Sequence, residues 1–225
     1  KPYPAYKDSG VEWLREVPEH WGIQRLRHTV SSCQNGTWGE EPVGDSGDMI
    51  CIRVADFDRT KNKIAVLSVP TLRYIPQQQQ EKFILNSGEL LIEKSGGGDQ
   101  QPVGVVMLYD LKDRAVCSNF IARMRVKTNN NAIFLLYLHK HLYESGLNWR
   151  SIKQNTGIQN LDLKSYLSEY VVMPSITEQY KIADFLERET AKIDALIARQ
   201  EQLIELLQEK RAALISHAVT KGLDP

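Results

Sequence analysis

Between residues 49 and 126 short apolar runs alternate with turn residues. The runs are 49–54, 64–69, 89–93, 103–109 and 120–126, each bounded by Gly, Pro, Asn or Asp, and that punctuation at strand length predicts β-strands. One later segment changes period: 131–145 follows an Asn run able to cap a helix and stops at Gly146, so it predicts an α-helix. Residues 1–21 show no sustained period and hold Tyr3-Pro4, Asp8-Ser9-Gly10 and Val17-Pro18. They predict an irregular surface arm pinned by Trp13 and Trp21. The expected fold class is α+β, a mixed α/β globule.

After Pro174 the pattern changes. From Thr177 to Ala218 there is no Gly or Pro, and Ala, Leu, Ile, Glu, Lys, Gln and Arg dominate, which predicts one long helix. The run at Thr177 lacks a full capping box, but Ser175 or Thr177 can cap it, Glu178 suits the positive end of its dipole, and Gly222 and Pro225 close it. Ile182, Leu186, Ile193, Leu196, Ile197, Leu203, Ile204, Leu207, Leu214 and Ala218 recur at mixed three- and four-residue spacing, so one face is apolar along its length. A helix of about 40 residues is about 60 Å long, whereas a globule of about 175 residues is about 40 Å across. The helix therefore outreaches its own domain. Each Leu or Ile left in water forfeits roughly 1.5–3 kcal/mol, so the overhang predicts a partner helix, and no turn signal lets the helix fold back on itself. The domains expected are 1–175, globular, and 176–225, helical. Gln200 interrupts the apolar positions, with Glu189 and Lys210 nearby; these either fix register against one partner or sit at the margin of the seam.

Composition narrows the class. The chain has 225 residues, 28 Lys+Arg against 28 Asp+Glu, 42% hydrophobic and 25% charged residues, an ordinary globular balance that excludes disorder and collagen. The longest apolar run, from Ala132 to Leu138, is far short of the roughly 20 residues of a membrane helix. With no signal segment at its start, the chain is expected to be cytoplasmic and free of membrane partners. Cys33, Cys51 and Cys117 suit neither a disulfide framework nor a zinc site and are expected as small core residues. Charge is uneven: residues 1–48 carry 5 basic and 8 acidic side chains, 49–175 carry 16 and 11, and 176–225 carry 7 and 9. The balances of −3, +5 and −2 make the middle segment the candidate phosphate-facing surface.

The sequence holds no catalytic constellation. Ser95-Gly96-Gly97-Gly98-Asp99 follows a strand-like run but lacks the Gly-Lys-Ser/Thr ending and the following helix of a nucleotide loop. Asp162-Leu163-Lys164 matches half of a nuclease metal site without a second carboxylate segment upstream. Asp56-Phe57-Asp58 starts like a calcium loop, then places Lys61 where Gly is required and Leu67 where the bidentate Glu belongs. His139 and His141, two residues apart, point to different faces of a helix and are expected to be exposed. No metal or cofactor is expected.

Three segments have the chemistry of nucleic-acid contacts. Arg123, Arg125 and Lys127 alternate with Ala122, Met124 and Val126, which puts three cations on one strand face; a solvated sheet face is the plainer account. Lys94 opens a Gly-rich loop ending at Pro102 and carrying Gln100 and Gln101. Gly admits close approach of backbone N–H groups to phosphate and Gln pairs with adenine, although a merely flexible turn explains the loop equally well. The polar stretch 149–160 contains Lys153, Gln154 and Asn155, suited to phosphates and base edges. Residues 77–80, four glutamines, are expected as a solvated turn.

Several segments together resemble the specificity (S) subunit of type I restriction-modification systems. They are Lys7-Asp8-Ser9-Gly10-Val11-Glu12-Trp13-Leu14 with Val17-Pro18-Glu19-His20-Trp21; Gly157-Ile158-Gln159-Asn160-Leu161; Met173-Pro174 leading to Glu178-Gln179-Tyr180-Lys181-Ile182-Ala183-Asp184-Phe185-Leu186; and 206–218 ending in Val219-Thr220-Lys221-Gly222-Leu223-Asp224-Pro225. The resemblance implies a target recognition domain followed by a long helix that forms an antiparallel coiled coil with a partner. Family members carry two such units in one chain; this chain holds one, so a half-subunit or a fragment is expected. Pairing of two copies would rebuild the full arrangement with two-fold symmetry. The resemblance further implies a subunit without chemistry of its own, which binds double-stranded DNA and positions modification (adenine methyltransferase) and restriction subunits. The DNA contacts expected are Lys94, Gln100, Gln101, Arg123, Arg125, Lys153, Gln154 and Asn155; the dimerisation residues are Ile182, Leu186, Ile193, Leu196, Ile197, Leu203, Ile204, Leu207 and Leu214. Two other readings compete: a coiled-coil assembly adaptor that binds no specific DNA, and a nuclease using Asp162 and Lys164.

Overall fold

A computed structural model describes residues 3–65, 69–98, 100–155 and 157–223. The chain divides into two compact units, Lys1–Ala183 and Asp184–Pro225.

Strand pairing in the first unit follows the apolar runs. The strand Glu89–Glu93 is buried at every position and lies inside a four-stranded antiparallel sheet, with Val106–Tyr109 on one side and Ile121–Val126 on the other, the latter flanked by Val30–Asn35. A central strand that is wholly apolar between its two end carboxylates is what burial on both faces demands. A second sheet sets Asp48–Ile52 between a parallel neighbour, Ala115–Cys117, and an antiparallel one, Leu72–Tyr74. A third joins Ser95–Gly96, Ile158–Leu161 and Ile152–Asn155. Two-stranded ladders complete the unit: Tyr6–Asp8 with Glu16–Pro18, Gly22–Arg25 with Tyr170–Met173, and Phe57–Asp58 with Lys63–Ile64.

The helices are α1, Gln77–Phe83; α2, Ala132–Glu144; α3, Leu163–Tyr166; and α4, Ile176–Lys221. In α2 the Asn131 side chain accepts from the Phe134 amide at 2.8 Å, the N-cap the sequence offers. Its apolar residues Leu135, Leu138 and Leu142 join Leu90, Ile92, Met124 and Tyr166 in the main core. A second core gathers Ile52, Leu91, Met107, Tyr109 and Ile121 on the other face of the four-stranded sheet. α4 opens with a reciprocal capping box: the Glu178 amide donates to Ser175 Oγ at 3.3 Å, and the Ser175 amide donates to Glu178 Oε2 at 3.1 Å. The box begins at Ser175, two residues before the run from Thr177 that lacks one.

The first turns of α4 belong to the first unit. Buried Gln179 accepts from the Asn131 amide at 2.9 Å and donates to the Pro174 carbonyl at 3.0 Å, which ties α4 to the cap of α2. Glu178 also accepts from Trp21 Nε1 at 3.4 Å and lies 2.8 Å from His20 Nε2. The His20 contact, with the Ser175 and Trp21 hydrogen bonds, holds its carboxyl down at about 2. Two segments of the sequence 158 residues apart therefore meet at one carboxylate.

Several expectations need correction. The N-terminal arm is regular in part: Tyr6–Asp8 and Glu16–Pro18 form a ladder, while Trp13 packs on the main core and Trp21 bonds Glu178, in line with the expected pinning. Residues 77–80 are solvent-facing as expected, but they form the start of α1 rather than a turn. The stretch 149–160 is a 3-10 turn followed by a β-hairpin. The run 103–109 becomes a strand only at Val106, because Gly104 takes a φ of +113° and a Cβ there would lie 3.2 Å from the Asn148 side chain. Of the run 64–69, Ile64 ends a short strand and residues 66–68 lie outside the described residues. His139 is wholly buried, its Nδ1 2.8 Å from the Tyr166 hydroxyl; burial holds its pKa down at about 4. His141 is exposed as expected. Cys51 and Cys117 are buried and Cys33 is half-buried.

The second unit is the remainder of α4. From Asp184 onward no described residue is buried, and Ile193, Leu196, Ile197, Leu203, Ile204, Leu207 and Leu214 are each about half exposed (48–61%).

Candidate nucleic-acid interface

The Gly-rich loop and the polar stretch are far apart in sequence, yet they are strands of one sheet. Ser95 pairs with Asn160 and Gly96 with Gln159; Asn160 in turn pairs with Lys153 and Gln159 with Gln154. Ser95 Oγ donates to Asn160 Oδ1 at 2.7 Å, and the Leu161 amide donates to the Lys94 carbonyl at 2.8 Å. Burial along the second strand, Ile158-Gln159-Asn160-Leu161, alternates with period two. Gln159 and Leu161 are buried, whereas Ile158 and Asn160 are exposed, and Lys153 lies opposite Asn160 on that exposed face.

The loop itself is built to turn. Gly97 has a φ of +58°, and a Cβ there would lie 2.9 Å from Val103, so a side chain would be strained and obstructed. Gly98 and Gln101 exchange backbone hydrogen bonds at 3.0 and 3.1 Å. That tight turn leaves Gln100 and Gln101 exposed, and Lys94 half-exposed at the loop's start.

Both ends of the loop are held from beneath by one chain of contacts. Arg59 Nη2 donates to Glu93 Oε2 at 2.7 Å, and Arg59 Nη1 donates to the Tyr143 hydroxyl at 3.2 Å. Tyr143 donates to the Pro102 carbonyl at 3.0 Å. Glu93 and Pro102 bracket the loop, so Arg59 and Tyr143 span it. Glu93 is fully buried, and burial outweighs the pull of Arg59 and pushes its carboxyl up to about 7. Val103 adds two further ties: its amide donates to Gln159 Oε1 at 3.2 Å, and its carbonyl accepts from Asn148 Nδ2 at 2.7 Å.

The candidate residues fall into two groups. Lys94, Gln100, Gln101, Lys153 and Gln154 lie on this sheet and its loop, Lys153 on the face of Asn160 and Gln154 on that of Gln159, with Asn155 ending the edge strand; the Asn155 side chain lies outside the described residues. Lys153 Nζ is 2.6 Å from Asp162 Oδ2, an exposed pair that a phosphate can replace at little cost. Arg123 and Arg125 do not join them. Arg123 is only 3% exposed; it donates to the carbonyls of Ile84 at 2.7 Å and Lys82 at 3.1 Å and to Gln34 Oε1 at 3.1 Å. A cation on the last carbonyls of α1 complements the negative end of that helix, so Arg123 is a structural cap and not a surface cation. Arg125 donates to buried Glu89 at 2.6 Å. Lys127 lies past the end of the strand. Phe120, 45% exposed, was not singled out from the sequence; its carbonyl accepts from the amides of both Lys94 and Ser95 at 2.8 and 3.1 Å, which places it beside the loop.

In the nuclease reading Asp162 is already engaged in the fold. Asp162 caps α3 by accepting from the Ser165 amide at 3.1 Å and pairs with Lys153; the Lys153 hydrogen bond is the main cause of its lowered pKa. Among the described residues no group of three or more His, Cys, Asp or Glu is arranged to hold a metal ion, and no helix is long and apolar enough to cross a membrane.

Solved structures share this architecture of mixed globule and long helix. A chain of a type I R-M system studied for complex assembly and conformational transition superposes with a TM-score of 0.65 at 20% identity, covering 97% of this chain and 49% of that one. The HsdS subunit from Thermoanaerobacter tengcongensis gives 0.56 at 19%, covering 97% and 48%. The type I restriction-modification S subunit from M. genitalium gives 0.52 at 16%, covering 89% and 46%. The fold is thus that of type I specificity subunits, and the chain spans about half the length of those it matches. No curated protein matches the sequence. The model of the type I restriction modification DNA specificity domain matches residues 37–206, 170 of the 225 residues, and the chain belongs to that family.

Proposed function

We propose that the chain is a non-catalytic DNA sequence-recognition subunit of a type I restriction-modification complex. It reads one half of a bipartite target and positions modification and restriction subunits, and its long helix pairs with a second copy. The supporting observation is the joining of the Gly-rich loop and the polar hairpin in one sheet, which collects Lys94, Gln100, Gln101, Lys153, Gln154 and Asn155 from two segments. Cations there serve phosphates and set affinity; amides serve base edges and set sequence preference. Selection from a randomised duplex pool, with the modification subunits present, should enrich one sequence. Enrichment of none would leave the adaptor reading in its place.

A further inference from the structure

The exposed stripe of α4 has a symmetry about Gln200. At 100° per residue, Ile193, Leu196, Ile197, Leu203, Ile204 and Leu207 lie within about 60° of the direction of Gln200, and all six are about half exposed (48–57%). Counting outward, Ile197 and Leu203 are each three residues away, Leu196 and Ile204 four, Ile193 and Leu207 seven, and Leu186 and Leu214 fourteen. Phe185 and Ile215 stand fifteen residues to either side. At eleven residues the stripe is polar on both sides: Glu189 before, Arg211 after. Every apolar position on the stripe thus mirrors an apolar one, and the mirrored charges are opposite.

A mirrored pattern is what an antiparallel pair of identical helices requires. Two-fold symmetry places each residue of one copy against the residue equally far beyond the axis on the other. We propose that a second copy of this chain covers α4 in one register, with the two-fold axis at Gln200. Ile193 then meets the partner's Leu207, Leu196 the partner's Ile204, Ile197 the partner's Leu203 and Leu186 the partner's Leu214. Gln200 faces its own copy and bonds amide to amide. Glu189 meets the partner's Arg211 twice per dimer. Within its own helix Glu189 is held by Arg188 at 3.1 Å and Lys192 at 3.0 Å, which orients the carboxylate; Arg211 has no ion-pair partner among the described residues. A parallel pairing would set Glu189 against Glu189 and Arg211 against Arg211. Ile182 stands outside the seam, since it packs on the globular core.

The inference rests on the reading that α4 pairs with a second copy, and its test is free of DNA, so it stands or falls apart from sequence recognition. Sedimentation of the full chain should give a dimer. Glu189→Arg or Arg211→Glu alone turns two attractive pairs into two repulsive ones and should raise the dissociation constant roughly tenfold or more. A mixture of the two variants should recover the dimer, because in the mixed dimer both of these contacts join a basic to an acidic side chain. Swapping both residues in one chain, Glu189→Arg with Arg211→Glu, restores both opposite pairs as well. That double variant should dimerise as tightly as the wild type. As a second measurement, Gln200→Cys should cross-link to itself through a short bis-maleimide, while Leu207→Cys should do so only when mixed with Ile193→Cys. A monomeric wild type, single variants of unchanged affinity, a double variant that stays dissociated, or self-cross-linking of Leu207→Cys would each overturn the register.

Discussion

Tyr143 links Arg59 to the far end of the candidate reading loop. Its hydroxyl receives Arg59 and donates to Pro102, so Tyr143→Phe keeps the ring and removes both bonds. At about 1 kcal/mol per hydrogen bond the variant should lose roughly 2 kcal/mol of stability by urea unfolding. Affinity for the selected duplex should fall more than affinity for random DNA; equal losses for both would show that the loop is not the reader. The buried titratable groups give a second expectation. His139, held down at about 4, must bind a proton on unfolding, so its contribution is complete above about 6.5 and is lost as pH falls towards 4, roughly 3 kcal/mol in all. Glu93, pushed up to about 7, acts in the opposite sense: its contribution is complete below about 4.5 and is lost as pH rises through 7. The two oppose each other between about pH 4.5 and 6.5. Urea midpoints of Glu93→Gln should therefore fall as pH drops across that window, and those of His139→Gln should rise. Slopes of the same sign would contradict the burial of one of them.

At the scale of elements, the sequence was most legible where one signal dominated. Glu89–Glu93, α2 and α4 could be read because apolar runs and Gly or Pro punctuation agree there. The short strands were not: Leu72–Tyr74 and Ala115–Cys117 have three residues each and are made by their neighbours in the sheet, a tertiary choice that local pattern does not carry. The hairpin 152–161 was hidden for another reason. Its polar residues read as loop, and Ile158-Gln159-Asn160-Leu161 does not alternate apolar with polar; Gln159 is buried and Ile158 exposed, so the strand is made by its neighbours in the sheet rather than by local pattern. Arg123 failed as a surface cation because its partners are carbonyls at the end of α1, a helix not foreseen. If the Gly-rich loop and the hairpin are the DNA-facing elements, Lys94→Ala and Lys153→Ala should each weaken binding to all sequences and reduce the slope of log affinity against log salt by about 1. The same change at Arg73, which stacks on Trp38 in the second sheet, should leave that slope unaltered. An unchanged slope in both lysine variants would favour the adaptor.

At the scale of the whole molecule the long helix is a ruler if two copies pair along it. Continuous helix of 46 residues rises by about 1.5 Å per residue, and a two-fold pair reads two half-sites whose separation follows that length. An insertion of seven residues between Asp184 and Phe185 lies at the edge of the proposed seam. It returns the helix to nearly the same face, since seven residues drift only about 20°, and it lengthens each arm by about 10 Å. Two arms add about 20 Å, which is about six base pairs at about 3.4 Å each. Duplex selection with this variant should enrich the same two half-sites with a spacer longer by up to that amount. A spacer of unchanged length, with the dimer intact, would mean that something other than α4 sets the distance between the half-sites. Loss of the half-sites themselves would instead place part of the reading surface on the helix, since the insertion leaves the loop at 94–102 and the hairpin at 152–161 untouched.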